Sequence, residues 1–107
     1  MSGYIVKLVR DRIARVGPAR GFTYDRCLDS AQHRKLLRAK LLEEVGEYLL
    51  DPSMEELADV YEAVYALAVV DQGADIVAVG HAARRKREER GSFIEGTIMV
   101  AVDVDRG

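Results

Sequence analysis

The chain has 107 residues, of which 49 % are hydrophobic and 32 % charged, a composition typical of a folded domain rather than a disordered chain. Its formal net charge of -2 argues against binding to duplex nucleic acid, which a basic face would dominate. No apolar stretch reaches the roughly 18 residues of a membrane span, and the first residues lack a signal-peptide pattern. We therefore expect one cytoplasmic domain over residues 1–107, in which the single cysteine, Cys27, excludes an internal disulfide.

The apolar pattern predicts mainly helices. Residues 4–9 are predicted as a short strand, and glycine and proline then interrupt any regular element up to residue 21. Apolar residues at helical spacing predict helices over residues 29–50, 54–71 and 75–90, with Ser53 capping the second. Gly73 and Gly91 are expected to end the second and third helices. The β-branched residues of segment 94–104 predict one further strand.

These elements predict a mainly all-α fold: an antiparallel helical hairpin core with a third helix and short terminal strands. The hairpin follows from the loop between the first two helices, which is only a few residues long. Both helices carry apolar residues on more than one face, and the domain is small. We therefore expect a homodimer or a higher homo-oligomer.

The informative feature is a set of acids on the two hairpin helices. Glu44 and Glu47 are three residues apart on the first helix, as are Glu56 and Asp59 on the second, so each pair shares one helix face. Glu47 and Glu56 lie equally far from the turn, and so do Glu44 and Asp59. The four carboxylates are thus expected at two matched heights, about 4.5 Å apart along the helix axis.

Four facing carboxylates would repel one another unless a cation lay between them. Hard oxygen ligands favour Mg²⁺ or Mn²⁺, which complete their coordination with water and phosphate oxygens. Two other interpretations stay open. The acids could form an ordinary solvated helix face, and Glu56 could serve only as the capping-box partner of Ser53.

Three stretches also resemble a known family: the acidic pattern Glu43-Glu44-x-x-Glu47 with Glu56-x-x-Asp59, the segment KLVRDRI at residues 7–13, and the segment KREERGSF at residues 86–93. Together they are similar to the all-α nucleoside triphosphate pyrophosphohydrolases, the superfamily of MazG-like and phosphoribosyl-ATP pyrophosphohydrolase proteins. The last two stretches resemble its short phosphoribosyl-ATP pyrophosphohydrolase-like branch.

The resemblance implies Mg²⁺-dependent hydrolysis of a nucleoside triphosphate, or a related compound, between its α and β phosphates. By the same resemblance Glu44, Glu47, Glu56 and Asp59 would be metal ligands, and Glu43 and Glu47 the catalytic carboxylates. The alternatives are phosphoribosyl-ATP hydrolysis in histidine biosynthesis and, from another class, a non-catalytic helical interaction module.

Basic residues are candidates to hold the phosphates of a nucleotide polyphosphate. They lie in the N-terminal segment, on the first hairpin helix and at the end of the third helix: Lys7, Arg10, Arg12, Lys40, Lys86, Arg87 and Arg90. Each has a simpler interpretation. Arg10 could pair with Asp11, Lys40 with Glu44 one turn away, and the last three could favour the negative end of the helix dipole.

Overall fold

The computed structural model describes residues 6–102. Within that range the chain forms four helices: α1 (Ile13–Val16), α2 (Ser30–Leu50), α3 (Met54–Val70) and α4 (Ile76–Arg90). The mainly helical prediction is confirmed, and the three long helices begin and end within one residue of their predicted bounds. The single turn α1 was not predicted, because glycine and proline follow it directly.

Each long helix begins at a polar side chain. Asp29, Ser53 and Asp75 adopt extended backbone angles, and each side chain accepts a hydrogen bond from the backbone N–H three residues later. These caps satisfy N–H groups that the first helical turn leaves without intrahelical partners. The start of each long helix is therefore determined by a polar residue immediately before its first turn.

The helix ends follow the glycines less closely. Gly91 ends α4 as expected, with a φ of 81° that a residue bearing a Cβ rarely adopts. The expectation for Gly73 was wrong, because α3 ends at Val70 and its C-cap is Asp71. Gly73 instead takes a φ of 61° in the turn towards α4.

Helices α2 and α3 form the predicted antiparallel hairpin around a three-residue loop, and α4 packs against α3. The apolar side chains buried in the described residues are few: Leu37, Ala63 and Ala68. All three lie on α2 and α3, and this hairpin also carries the acidic residues discussed below.

The predicted terminal strands are not observed among residues 6–102. Residues 6–9 and 94–102 have no regular secondary structure, and the rest of both predicted strands falls outside the described residues. A strand needs a neighbour to satisfy its backbone hydrogen bonds, and the described part of the chain supplies none beside either segment. The β-branched pattern was therefore not sufficient to predict a strand in these residues.

Across residues 6–102, every helix is too short or too polar to cross a bilayer.

Candidate metal and phosphate site

Three carboxylates from the two hairpin helices converge. One carboxylate oxygen each of Glu44, Glu56 and Asp59 lies within 4.8 Å of the other two. Glu44 comes from α2, and the other two come from α3, where they share a face because they are three residues apart. The short loop places these faces opposite each other, as the residue spacing predicted.

Glu56 is available for this cluster because it does not complete a capping box. Its backbone N–H donates to the Ser53 hydroxyl at 3.2 Å, which is one half of that motif. The other half would require the Glu56 carboxylate to accept from the Ser53 N–H, which instead donates to the Asp51 carbonyl at 2.7 Å. The capping-box interpretation therefore does not explain the position of the Glu56 side chain.

Two of the three carboxylates have a cationic partner. The Arg10 guanidinium donates to the Asp59 carboxylate at 2.6 Å, across 49 residues of sequence. The Lys40 ammonium lies 3.0 Å from the carboxylate of Glu44, which is only 9 % exposed. Arg10 thus pairs with the acidic cluster rather than with Asp11, and Lys40 makes the one-turn pair that its spacing allowed.

Glu43 lies beside the cluster and faces two ammonium groups. Its carboxylate oxygens lie 3.1 Å from Lys7 and 3.4 Å from Lys40. Partial burial acts to raise the pKa of Glu43, but the hydrogen bonds and charges of the two lysines outweigh it and hold that pKa below its ordinary value. Glu43 is therefore a carboxylate kept ionised by its neighbours.

Glu56 has the opposite environment. Desolvation raises its pKa first, and the negative charges of Asp59, Glu47, Asp51 and Glu44 raise it further. Among residues 6–102 no lysine or arginine forms an ion pair with it. Glu56 is thus the point of the cluster where negative charge is least compensated and where an added cation would be most favourable.

Glu47 lies at the edge of the cluster. Its charge acts on Glu56, so the two are close, but it is exposed and is not among the three residues whose oxygens lie within 4.8 Å. By residue spacing alone the four acids are equivalent. The structure brings three of them together and leaves the fourth one helical turn further along α2.

The cluster opens onto a cleft of about 450 Å³ between the hairpin and the N-terminal segment. Glu44 and Asp59 line one part of it, and Leu37, Ala63 and Ala66 line an apolar part. Its basic groups include Arg10, Arg12 and Lys40. A cleft of this size, with charged side chains of both signs beside an apolar wall, could accommodate a small charged ligand.

The basic residues predicted on the third helix lie elsewhere. Lys86, Arg87 and Arg90 are exposed on the last turns of α4 and do not line the cleft. Lys7 does not line it either, and its ammonium donates a hydrogen bond to the neighbouring Glu43. Of the seven predicted phosphate-binding residues, the structure therefore gathers Arg10, Arg12 and Lys40 at the cleft.

Sequence reasoning missed three polar residues of the cleft: Asp11, His33 and Glu62. Glu62 carried a usable signal, because it follows Asp59 by three residues and continues the acidic face of α3. No local pattern singles out His33. Asp11 was considered only as a partner for Arg10.

Comparison with protein-family models, with curated proteins and with solved structures finds no match for this chain.

Proposed function

We propose that the chain is a metal-dependent nucleotide pyrophosphohydrolase, which cleaves a nucleotide polyphosphate between its α and β phosphates to give the monophosphate and pyrophosphate. The observation that carries the proposal is the convergence of Glu44, Glu56 and Asp59 at the edge of a cleft that also presents basic groups. Carboxylates that could bind a cation and basic side chains that could bind phosphate thus lie at the same opening. An ordinary solvated acidic face does not require that combination.

The carboxylates fit Mg²⁺ or Mn²⁺. Ligand atoms on opposite sides of a Mg²⁺ ion lie about 4.2 Å apart, twice the usual bond length, so oxygens within 4.8 Å of one another need to move by less than about 1 Å. Glu44, Glu56 and Asp59 would hold the ion. When bound, it would neutralise charge on the leaving pyrophosphate and favour ionisation of an attacking water.

The chain's own side chains supply the remaining functions. Arg12 lines the cleft without an ion pair among the described residues, so its guanidinium is available to a phosphate. Arg10 and Lys40 are bound to acids and would contact phosphate from those positions. The apolar wall that includes Leu37 and Ala63 would exclude water from one side of the substrate.

For the catalytic carboxylate, Glu47 is a better candidate than Glu43. Glu43 is bound by two ammonium groups, whereas Glu47 has no ion pair among residues 6–102 and lies next to Glu56. An unpaired carboxylate at the edge of the cluster can accept a proton from an attacking water. We propose that Glu47 orients that water and that Glu43 positions Lys7 and Lys40.

We also propose that the chain acts as a homo-oligomer, because few of its described apolar side chains are buried. The proposed location of the chain is the cytoplasm.

The deciding experiment measures pyrophosphate release with Mg²⁺ across a panel of nucleoside triphosphates that also includes phosphoribosyl-ATP. Glu56→Gln should reduce turnover by at least about a hundredfold, because the variant keeps the shape of the side chain and loses its charge. Glu55→Gln is the matched control: it makes the same change one position earlier on an exposed side chain outside the cluster, and should retain activity.

The pattern across the panel separates the alternatives. Turnover of phosphoribosyl-ATP alone would favour the histidine-biosynthesis reaction. No turnover of any compound, together with no saturable Mg²⁺ or Mn²⁺ binding by calorimetry, would overturn the proposal and favour a helical interaction module.

A further inference from the structure

The segment that precedes α1 forms one wall of the cleft and is bound to the hairpin at two points. We call residues 7–10 the strap. At one end of the strap the Lys7 ammonium lies 3.1 Å from the Glu43 carboxylate on α2. At the other end the Arg10 guanidinium donates to the Asp59 carboxylate on α3 at 2.6 Å. The strap is therefore anchored to both helices of the hairpin.

The two anchors lie at the level of the acidic cluster. Carboxylate oxygens of Glu44 and Asp59 lie within 4.8 Å of each other, and Glu43 is the residue before Glu44. Lys7 and Arg10 are three residues apart, so the backbone between them spans at most about 11 Å. The axes of packed helices are about 8–10 Å apart. The strap is thus long enough to pass from α2 to α3 beside the cluster, with little length to spare.

The strap also closes the apolar part of the cleft. Leu8 lies between the two anchors and is half-buried. It lines the cleft together with Leu37 and Ala63, two buried apolar side chains of the hairpin. Burial of an apolar side chain against an apolar wall favours the arrangement in which the strap lies against the hairpin.

The contacts that hold the strap are weak. Within residues 6–102, the backbone of residues 7–9 forms no hydrogen bond with another backbone group. The side chains of Lys7 and Arg10 are 53 % and 61 % exposed, so solvent screens both ion pairs and each contributes little to stability. A segment with few buried contacts and no backbone hydrogen bonds opens at a low cost in free energy.

We propose that the strap is a lid on the cleft. In the ligand-free chain the two ion pairs hold the lid against the hairpin, and both pairs break when the lid opens to admit a ligand. While the lid is closed, Arg10 and Asp59 neutralise each other, and opening makes both charges available to a ligand. The lid depends only on contacts within the chain, so it is independent of the proposed hydrolase activity.

A nitroxide at Val6→Cys, in a Cys27→Ser background, reports the position of the strap. Val6 precedes the strap and is 65 % exposed. In ¹⁵N-enriched chain with EDTA and no nucleotide, the amides of Glu43 and Asp59 should be broadened at low salt. Raising NaCl from about 0.01 M to about 1 M shortens the Debye length from about 30 Å to about 3 Å, and should reduce the broadening at least about twofold.

Two further samples interpret that measurement. Lys7→Gln/Arg10→Gln should show the reduced broadening already at low salt, because both anchors are gone. Arg84→Gln is the matched control, since it breaks an exposed ion pair with Glu88 on α4, away from the cleft, and should behave like the wild type. Mixing nitroxide-labelled chain at natural isotope abundance with cysteine-free ¹⁵N chain measures broadening between chains, which is subtracted.

The accessibility of the cleft gives the second measurement. Ala66 lines the cleft and is half-buried, so Ala66→Cys in the same Cys27→Ser background places a thiol in it. The uncharged reagent N-ethylmaleimide should modify this thiol about two to five times faster when either Lys7→Gln or Arg10→Gln is added, the factor that one exposed ion pair allows. The double variant should react faster than either, and Arg84→Gln should leave the rate unchanged.

Circular dichroism of each variant verifies that the helices remain folded during these measurements. The proposal requires both changes. If salt and the double variant leave the broadening at its low-salt wild-type value, or if the thiol reacts equally fast in all chains, the strap is a fixed wall of the cleft and the lid is refuted. Neither measurement contains metal or nucleotide, so failure of the hydrolase proposal would not affect either result.

Discussion

The guanidinium of Arg10 donates to the carboxylate of Asp59 at 2.6 Å and joins the N-terminal segment to the acidic face of α3. The pair raises the pKa of Arg10 further above its ordinary value, chiefly through the hydrogen bond to Asp59. Arg10 therefore already neutralises one of the three carboxylates that would hold a metal ion. A divalent cation at this site has to share Asp59 with Arg10 or displace it.

Replacing Arg10 should strengthen the binding of metal alone. In Arg10→Gln the competing charge is gone, and we expect Mn²⁺ to bind about two to five times more tightly, the range that an exposed ion pair allows. Calorimetric titration with Mn²⁺ in the absence of nucleotide measures this. Arg12→Gln removes an equal charge from the cleft without breaking a pair to the cluster, and should change the affinity less. Weaker binding by Arg10→Gln would mean that Arg10 supports the site instead of competing with the ion.

Glu56 should make the fold less stable until a cation is present. Its pKa is raised above the ordinary 4.5 by desolvation and by neighbouring acids, so the folded state binds its proton more tightly than the unfolded state does. Stability is then lost as the pH rises from about 4.5 through the raised pKa. Glu56→Gln removes this loss of stability, and the Tm of the variant in EDTA at neutral pH should exceed that of the wild type.

Added Mg²⁺ should reverse the order of the two Tm values, so that the wild type is more stable than Glu56→Gln. The wild type gains stability from binding, whereas Glu56→Gln has lost a ligand and gains little. Thermal unfolding in EDTA and in saturating Mg²⁺, each at pH 4 and pH 7, tests both statements. At pH 4 the advantage of the variant in EDTA should shrink, because the wild-type carboxyl is then largely protonated. A variant that is less stable than the wild type in EDTA at pH 7 would contradict the account.

The sequence predicted those parts of the fold that depend on local chemistry. The predicted cap at Ser53 and the final Gly91 act through backbone groups a few residues away, so a short stretch of sequence is sufficient to predict them. Asp29 and Asp75, which cap α2 and α4, were instead included in the predicted helices. The end of α3 was placed one residue late, because Gly73 lies in the turn rather than at the cap. The terminal strands are not observed among residues 6–102, because a strand forms only beside a partner segment, which a local pattern does not specify.

The same distinction applies to the candidate site. The convergence of Glu44, Glu56 and Asp59 follows from helical spacing and one short loop, so counting along the chain was sufficient. The pairing of Arg10 with Asp59 spans 49 residues and has no local signal. The position of the basic end of α4 likewise depends on how α4 packs, which residue types alone do not determine. Metal binding and catalysis remain predictions.

A pair at the other end of the hairpin should make stability depend on pH in the acid range. Arg38 on α2 donates two hydrogen bonds, at 2.6 and 2.9 Å, to the carboxylate of Asp71, which follows α3. The hydrogen bond and the charge of Arg38 lower the pKa of Asp71 below the ordinary 3.8. The stability that the ionised Asp71 carboxylate contributes to the fold is therefore present above about pH 4 and is lost as the pH falls through the lowered pKa.

Asp71→Asn should accordingly have a lower Tm than the wild type at pH 7, by no more than about 5 °C because the Arg38 side chain of the pair is 63 % exposed and screened by solvent. The difference should narrow below pH 4, where the wild-type carboxyl becomes protonated. Thermal unfolding followed by circular dichroism across pH 2–8 measures the two curves. Parallel curves over this whole range would show that Asp71 acts through its shape and not through its charge.

Leu37 should be the most sensitive apolar position of the hairpin. It is 4 % exposed, it is the largest of the three buried apolar side chains in residues 6–102, and it also lines the cleft. Leu37→Ala should lower the free energy of unfolding by about 2–4 kcal/mol, because a cavity remains where the side chain packed. Leu28→Ala, at an 88 % exposed position, should change the free energy of unfolding by less than about 0.5 kcal/mol.

Urea unfolding at one fixed protein concentration compares the two variants, since oligomerisation would make the result depend on concentration. A loss below about 1 kcal/mol in Leu37→Ala would mean that α2 and α3 are held together by contacts other than this core, and the spacing of the three carboxylates would then depend on those contacts instead.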